Sequence, residues 1–590
     1  MTATLWEEGV VRGPQDPAEK NCNYVTREDL REGCLVLPGP TGHGDGLDPL
    51  RSLARPTTKL LGAFYTGESA TEFMARWAIR TPEDRVLEPC FGDGAFLRSI
   101  RRTCRERGFH EVEVFGVEMA ESTFGETVSS GAIPPKAAIM DDFLNIRPFR
   151  VDAVIGNPPY VRLRHLPVPQ AKRAMRIACE ALGEPMKSSG SLWMPFVLHA
   201  LQFLKAGGRL AFVLPYDMTY VRYAQPLWRH LGKKFASLHV LRVRERLFPD
   251  IMQDVVILCA DGLGGTTHTV HFRAFERKAD FISGNASAEE EIPLDAVVNG
   301  DRPFVRALLP NDLRRLLDDR LAQATYPIRE VASFNIGYVS AHKAFFHPAL
   351  SVIDKFRIPN SCLRPAVTSS RQLNGIGVFT SSISQASQEV LFYPRGEMGN
   401  LSAAEQRYIQ YGESLGVNRR YKCRNRKPWY RVPDVRVSNL VLSVFGERPV
   451  MLLNDRGLVA TNSLLCGFVR QGSAESVLAA WYTSLALLYC ELHVHSLGGG
   501  VFVLVPNEVG TIRVPRFGTL PRKYLLDLHR IIRSGSIQDA YSFGDAAILK
   551  GKLGLKDREL DIIQQGINQL AKWRTPNGND APNLLEDVNK

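Results

Sequence analysis

Between about residues 60 and 265, short apolar runs alternate with stretches in which apolar residues recur every three or four positions. RVLEPC (85–90), VEVFGVE (112–118), VDAVIG (151–156), RLAFVLP (209–215) and DVVILCA (254–260) have the length and composition of strands. GAFLRSIRRTCRERG (94–108) gathers its apolar residues on one helical face and leaves a basic outer face. WMPFVLHALQFLKAGG (193–208) predicts a helix ending at Gly207-Gly208. Strand and helix in alternation predict an α/β fold on a doubly wound, mostly parallel sheet.

That rhythm sets one domain at 56–265. Residues 1–55, with GPTGHGDG at 39–46, predict an irregular N-terminal arm. Residues 266–330 predict a connecting region that carries the charged helix PNDLRRLLDDRLA. Residues 331–545 have short apolar runs cut by Gly, Pro and Asn, and predict a separate mixed α/β domain. Residues 546–590 predict a C-terminal helix, LDIIQQGINQLAKW, and a polar tail from Thr575.

Composition narrows the partners. The chain has 590 residues and a formal net charge of +11, which favours a polyanion. Its ten cysteines are scattered from Cys22 to Cys490 without a CxxC pair, so neither a zinc ribbon nor a disulfide framework is expected. MTATLWEEGV has no basic start followed by an apolar run, and no stretch is apolar enough to span a bilayer. A cytoplasmic protein without a membrane partner is expected.

The run Val86 to Phe96 puts a glycine-rich turn, with Glu88, Pro89, Gly92 and Gly94, directly after a strand. Glycines let backbone approach a ligand, and the next helix offers free N–H groups. Alone this is weak, because a tight turn looks the same and the third glycine of the dinucleotide fingerprint is missing. Glu118 closes the next strand, 24 residues after Gly94, where an acid can hold ribose hydroxyls. Asp142 and Phe143 follow where a third strand should end, and can bond and cover an adenine. Each acid by itself is an ordinary cap; the ordered set points to an adenosine-type ligand.

Asn157-Pro158-Pro159-Tyr160 immediately follows the strand VDAVIG, at the strand tip where open α/β sheets keep their sites. The prolines fix the backbone and leave carbonyls exposed. The Asn157 side-chain oxygen and the Pro158 carbonyl can both accept from one exocyclic amino group, aiming its lone pair at an electrophile such as a methyl donor. Tyr160 can stack on the same planar group. The competing reading is a rigid turn with a surface tyrosine.

In these segments the chain resembles the gamma-class N6-adenine DNA methyltransferases of type II restriction–modification systems. Gly62-Ala63-Phe64-Tyr65-Thr66 matches the family's opening motif, and the resemblance assigns Phe64, Tyr65 and Thr66 to the methionine part of S-adenosyl-L-methionine. Glu88 to Phe96 matches its glycine motif, Glu118 its ribose acid, Asp142 and Phe143 its adenine pair, and Asn157 to Tyr160 its catalytic segment. The resemblance places the aromatic that sandwiches a flipped base at Phe196. It implies a seven-stranded methyltransferase sheet with S-adenosyl-L-methionine as cofactor. Gly67 stands where relatives usually have Pro, and Cys90-Phe91 replaces their small residues. Asn335 to Tyr338, Arg364-Pro365, Lys427 to Tyr430 and Ala460 to Ser463 look like target recognition regions of large type II methyltransferases.

NRRYKCRNRKPWYR (418–431) interleaves bases and aromatics. Arg424, Arg426 and Lys427 can clamp phosphates or read guanine, and Trp429 or Tyr430 can stack or wedge. Lys343, Arg371 and Arg436 are weaker candidates. The bland reading is a solvated loop with its aromatics in a core. Duplex DNA is the expected partner, bound by a monomer on the nucleoid, with the base flipped out to reach Asn157. A separate restriction nuclease or other defence proteins would complete such a system. His493 and His495 would share one strand face, but no third ligand appears and no metal is expected. No nuclease pattern of spaced acids is evident. N4-cytosine methylation, RNA adenine methylation and a non-catalytic DNA-recognition subunit stay open as alternatives.

Overall fold

The computed structural model describes residues 67–575 except 111, 248–253, 301, 385–387, 447 and 497–501. The expected N-terminal arm and the tail beyond Thr575 lie outside the described residues.

Alternating apolar positions build one sheet from β1 (Arg85–Glu88), β2 (Glu113–Glu118), β3 (Ala138–Met140), β4 (Val151–Gly156), β5 (Leu204–Pro215), β6 (Phe235–Val243), β7 (Val255–Leu263), β8 (Thr269–Phe275) and β9 (Ala288–Pro293). Their order is β3-β2-β1-β4-β5-β7-β6-β8-β9. The pairs from β3 through β5 run parallel, whereas β7 lies antiparallel to both β5 and β6.

Successive side chains of a strand face opposite ways, so each buried strand feeds two cores. Val86, Ala153, Ile155, Ala211 and Val213 pack with α1 (Glu68–Ala78) and α2 (Ala95–Glu106) through Met74, Phe96 and Ile100. Their neighbours Leu87, Val154, Leu210 and Phe212 pack with α3 (Val168–Leu182) and α4 (Trp193–Ala200) on the other face. The order reverses at β1, flanked by β2 and β4, and the crevice at the carboxyl ends there is where such sheets bind ligands.

Three expectations change. The sheet has nine strands among the described residues, not seven, because β8 and β9 come from the stretch expected to be a connector. β9 is an edge strand whose exposed glutamates face solvent, with Glu289 opposite Arg273 and Glu291 opposite His271, so its apolar signal is faint. The predicted helix to Gly208 stops at Ala200, and β5 begins at Leu204. The glycines bulge that strand: Val151 faces Leu204 but Ala153 faces Arg209, and Gly207 takes φ +73.

The contacts also divide the second half differently from a single domain at 331–545. One unit gathers 339–363 and 391–433; the other joins the sheet region to 364–390 and 434 onward. In the larger unit Ala332–Ile336, Leu464–Val469, Leu440–Ser443 and Met451–Leu453 form an antiparallel sheet. The C-terminal helix Asp557–Arg574 buries Ile563, Ile567, Leu570 and Trp573. Arg574 and Glu491 form a buried two-bond pair, both bonds 3.0 Å. Arg242 lies over the rings of both Trp573 and Tyr216, at 5.1 and 3.8 Å.

The smaller unit is built on an aromatic stack. Its helix Ala403–Ser414 starts with a reciprocal cap between Ser402 and Glu405. Tyr408 stacks on Phe345 at 4.7 Å, and a Cβ at Gly412 would come 2.4 Å from the Phe345 ring, so the helix approaches that closely only through glycine.

Candidate functional site

The neighbouring strand tips from β3 through β5 supply the site. After β1 the chain turns through Gly92 at φ +50 and Gly94 at φ +76, values that favour glycine, and Gly94 caps α2. A Cβ on Gly92 would meet nothing within 4 Å, so the turn faces open space. At Gly156 a Cβ would come 3.2 Å from Pro89, so the absence of a side chain lets the tips of β1 and β4 sit together.

Acids converge on the turn. Glu118 accepts from Gly92 N–H at 3.1 Å and Ala120 N–H at 2.8 Å, tying the β2 tip to the glycines. Glu88 is 1% exposed, and its Oε2 has no hydrogen-bond partner among the described residues. Burial pushes its carboxyl well above the usual range, and Asp93 and Glu118 push it the same way. Asp142 accepts from Leu144 N–H at 3.0 Å and lies 3.4 Å from Arg173. Next to Glu118 and Asp142, Met119 and Met140 are 47% and 54% exposed, apolar chains left uncovered beside polar anchors. Sequence reading missed both, although each directly follows or closes a strand.

S-adenosyl-L-methionine carries a sulfonium, an ammonium, two ribose hydroxyls and a flat adenine. An orphaned buried carboxylate, a half-buried second one, an uncovered glycine turn and two exposed methionines fit those features. Phe143 sits deeper than expected: it is 2% exposed and packed on Phe196, His199 and Phe203 at 5.3, 4.8 and 5.3 Å. Phe196, expected beside a flipped base, is therefore in that core stack and 6% exposed. Phe64, Tyr65 and Thr66 lie outside the described residues.

At the tip of β4, Asn157 is half-buried and held at two points. Its side-chain Oδ1 accepts from the Tyr160 hydroxyl at 2.7 Å, and its backbone carbonyl accepts from the Cys90 thiol at 3.1 Å. The Tyr160 hydroxyl also lies 3.0 Å from the carbonyl of Val213 on β5, and its one proton can serve only one acceptor at a time. Burial raises the Tyr160 phenol well above its usual value, with Cys90 and Asp217 adding to it, so it stays a donor. Pro158 is buried. Asp217, in the turn Tyr216–Thr219 after β5, sits 3.9 Å from Arg162. Its only sequence signal is its place after the next strand in sheet order.

The predicted DNA-contacting residues separate. Arg424 and Lys427 are exposed, as are Lys343 and Arg371. Arg436 pairs with Asp434 at 3.7 Å. Arg426 donates to the carbonyls of Val339 and Ser340 at 2.7 and 3.2 Å. Trp429 donates to Glu413 at 2.9 Å and packs on Phe345, and Tyr430 is 2% exposed. His493 ends the helix Ser484–His493 instead of sharing a strand face with His495; it lies 3.3 Å from Thr511, and burial lowers its imidazole to about 3.

Residues 49–226 match the N-6 DNA methylase family, and 301–549 match the C-terminal domain of the type II methyltransferase M.Eco57I. The type II methyltransferase M.XhoI of Xanthomonas vasicola is 32% identical over 579 residues, 92% of this chain and 95% of that one. M.PaeR7I of Pseudomonas aeruginosa is 24% identical over 519 residues, 78% of this chain and 87% of that one. A solved structure of the type IIL restriction–modification enzyme MmeI with DNA is 13% identical, covers 89% of this chain and 76% of that one, and has a TM-score of 0.49, too distant to carry an assignment.

Proposed function

The chain belongs to the type II methyltransferase family, a DNA methyltransferase dependent on S-adenosyl-L-methionine, and from that premise we propose that it methylates N6 of adenine in duplex DNA as the modification activity of a restriction–modification system. The observation that carries this reading is the Asn157–Tyr160 bond at the tip of β4, beside the glycine turn and its acids.

Glu118, Glu88 and Asp142 would hold the cofactor, with the exposed Met119 and Met140 offering apolar surface beside them. When bound, the cofactor supplies an electrophilic methyl on a sulfonium that departs as a neutral thioether. Asn157 Oδ1 and the Pro158 carbonyl accept from the two hydrogens of the target amino group, which turns its lone pair out of the base plane. The N–C bond forms as the C–S bond breaks, and the amino group then releases one proton to solvent. The same two acceptors stabilise the positive charge that builds on the nitrogen, so no strong base is needed. A paired base cannot reach Asn157, so the target nucleotide swings out of the duplex first. Trp429 and Tyr430 then belong to the fold of the recognition unit, and Arg424 and Lys427 to its outer surface.

Transfer of labelled methyl from S-adenosyl-L-methionine to unmodified phage DNA, followed by digestion to nucleosides, tests the reading. N6-methyladenine is the expected product. N4-methylcytosine would replace the adenine assignment, and cofactor binding without transfer to any DNA would overturn the activity.

A further inference from the structure

The positive charge of this chain is concentrated. The stretches 339–363 and 391–433 hold twelve Lys and Arg against four Asp and Glu, a net +8 of the chain's +11. The aromatic core of that unit decides which of these charges face outward. Val417 and Cys423 are fully buried and Tyr430 nearly so, which pins the loop at three points. Arg426 is turned inward onto two carbonyls and lies over the Phe346 ring at 5.7 Å. Trp429 is held by Glu413 and Phe345.

What the anchors leave outside is Arg419, Tyr421, Arg424 and Lys427. Tyr421 is 41% exposed, and the Arg424 guanidinium lies over its ring at 5.2 Å. Among the described residues, no carboxylate comes within ion-pair distance of Arg419, Arg424 or Lys427. Some exposed arginines elsewhere are paired, Arg98 with Asp93, Arg102 with Glu68 and Arg277 with Asp280, and others, such as Arg147, Arg371 and Arg533, are not, among the described residues; at 419–427 three such cations fall within one short stretch. Three cations without an ion-pair partner, in the same short stretch as an exposed ring covered by one guanidinium, offer charge that a polyanion completes.

We propose that the Tyr421–Arg424 turn, with Arg419 and Lys427, grips the sugar–phosphate backbone of duplex DNA, the cations on phosphates and the tyrosine ring against a deoxyribose. Trp429, the more conspicuous aromatic of the sequence, braces the turn from inside. This rests on the reading that DNA is the substrate. Each phosphate neutralised releases condensed counterion, so the contacts register in the salt dependence of binding with a slope of about 0.9 per contact.

The test uses the full chain and a labelled duplex of mixed sequence, titrated from about 50 mM to about 200 mM salt, the range over which such contacts are lost. The variant Arg419→Ala/Arg424→Ala/Lys427→Ala should bind at least about tenfold more weakly at low salt, with a slope shallower by about 2 to 3. Tyr421→Ala should weaken binding while keeping the slope, and Tyr421→Phe should restore it. Cofactor affinity and thermal midpoint should stay at wild-type values, which separates loss of contact from loss of fold. A triple variant that binds with wild-type slope overturns the surface; if wild type still methylates phage DNA, the proposed activity stands. A wild-type chain that neither binds nor methylates duplex overturns both. Tighter binding to a hairpin RNA than to the duplex assigns the surface to RNA and overturns the proposal.

Discussion

The Tyr160 hydroxyl donates to Asn157 Oδ1 across 2.7 Å, so the two ends of the Asn-Pro-Pro-Tyr segment are bonded to each other. The tyrosine thus has a second use besides its ring: it sets the rotation of the carboxamide. Tyr160→Phe keeps the ring and removes the bond. We expect kcat to fall about 10- to 100-fold, the scale of a misplaced reacting group, with cofactor affinity unchanged in a binding titration. Wild-type turnover in that variant would confine the tyrosine to stacking.

Glu118 is half-buried and accepts one backbone N–H on each oxygen, from Gly92 and Ala120. Glu118→Gln preserves the shape and removes the charge. Affinity for S-adenosyl-L-methionine should drop about tenfold, or about 1.4 kcal/mol, by calorimetry.

Trp429 should report on stability before it reports on DNA. Trp429→Ala empties a site lined by Phe345 and Phe346 and leaves Glu413 without its indole donor. A loss of about 3–5 kcal/mol is expected in denaturant unfolding. The salt slope of DNA binding, measured where the variant is folded, should be that of the wild type.

Glu491 and Arg574 are both nearly closed off from water, with 3% and 10% of their side-chain surfaces exposed. Glu491→Ala strands a buried guanidinium and should cost about 3–5 kcal/mol. Hydrogen exchange should show the C-terminal helix opening first.

Burial raises the Asp545 carboxyl to about 6, although it accepts from Ser484 N–H at 2.8 Å. The folded chain therefore keeps a proton that the unfolded chain releases near pH 4. The stability linked to this group is complete below about pH 4 and is lost as pH rises through 6. Asp545→Asn retains the acceptor and removes the titration. It should match wild type at pH 4 and exceed it by up to about 3 kcal/mol at pH 8, read from unfolding midpoints across pH.

Local pattern carried much of this. VDAVIG is β4 residue for residue, and β1, β2 and α2 lie where their apolar spacing puts them. What failed was decided by tertiary surroundings. Gly207-Gly208 looks like a helix stop because glycine ends helices, yet here it bulges a strand whose partner, β4, is distant in sequence. β9 is hidden because an edge strand keeps its polar side in water. In the basic stretch 418–431, the sequence reading names Trp429 and Tyr430 as the contacting aromatics and passes over Tyr421. Tyr421 is the exposed ring, because which ring turns inward depends on Phe345 and Tyr408, contributed by other stretches of chain. Cys90 stands out in the sequence only as an unusual residue in a glycine motif, and its bond to the Asn157 carbonyl appears only once β1 and β4 are neighbours.

The smaller unit is assembled from 339–363 and 391–433, with 364–390 belonging to the other unit between them. No single uninterrupted stretch of the gene encodes it. A recombination event that exchanged one stretch would bring in half of an aromatic stack, with Phe345 from one parent and Tyr408 and Trp429 from another. Inheritance of a new outer surface on this unit would therefore require a paired exchange, or else point changes at outward positions that leave the shared core untouched.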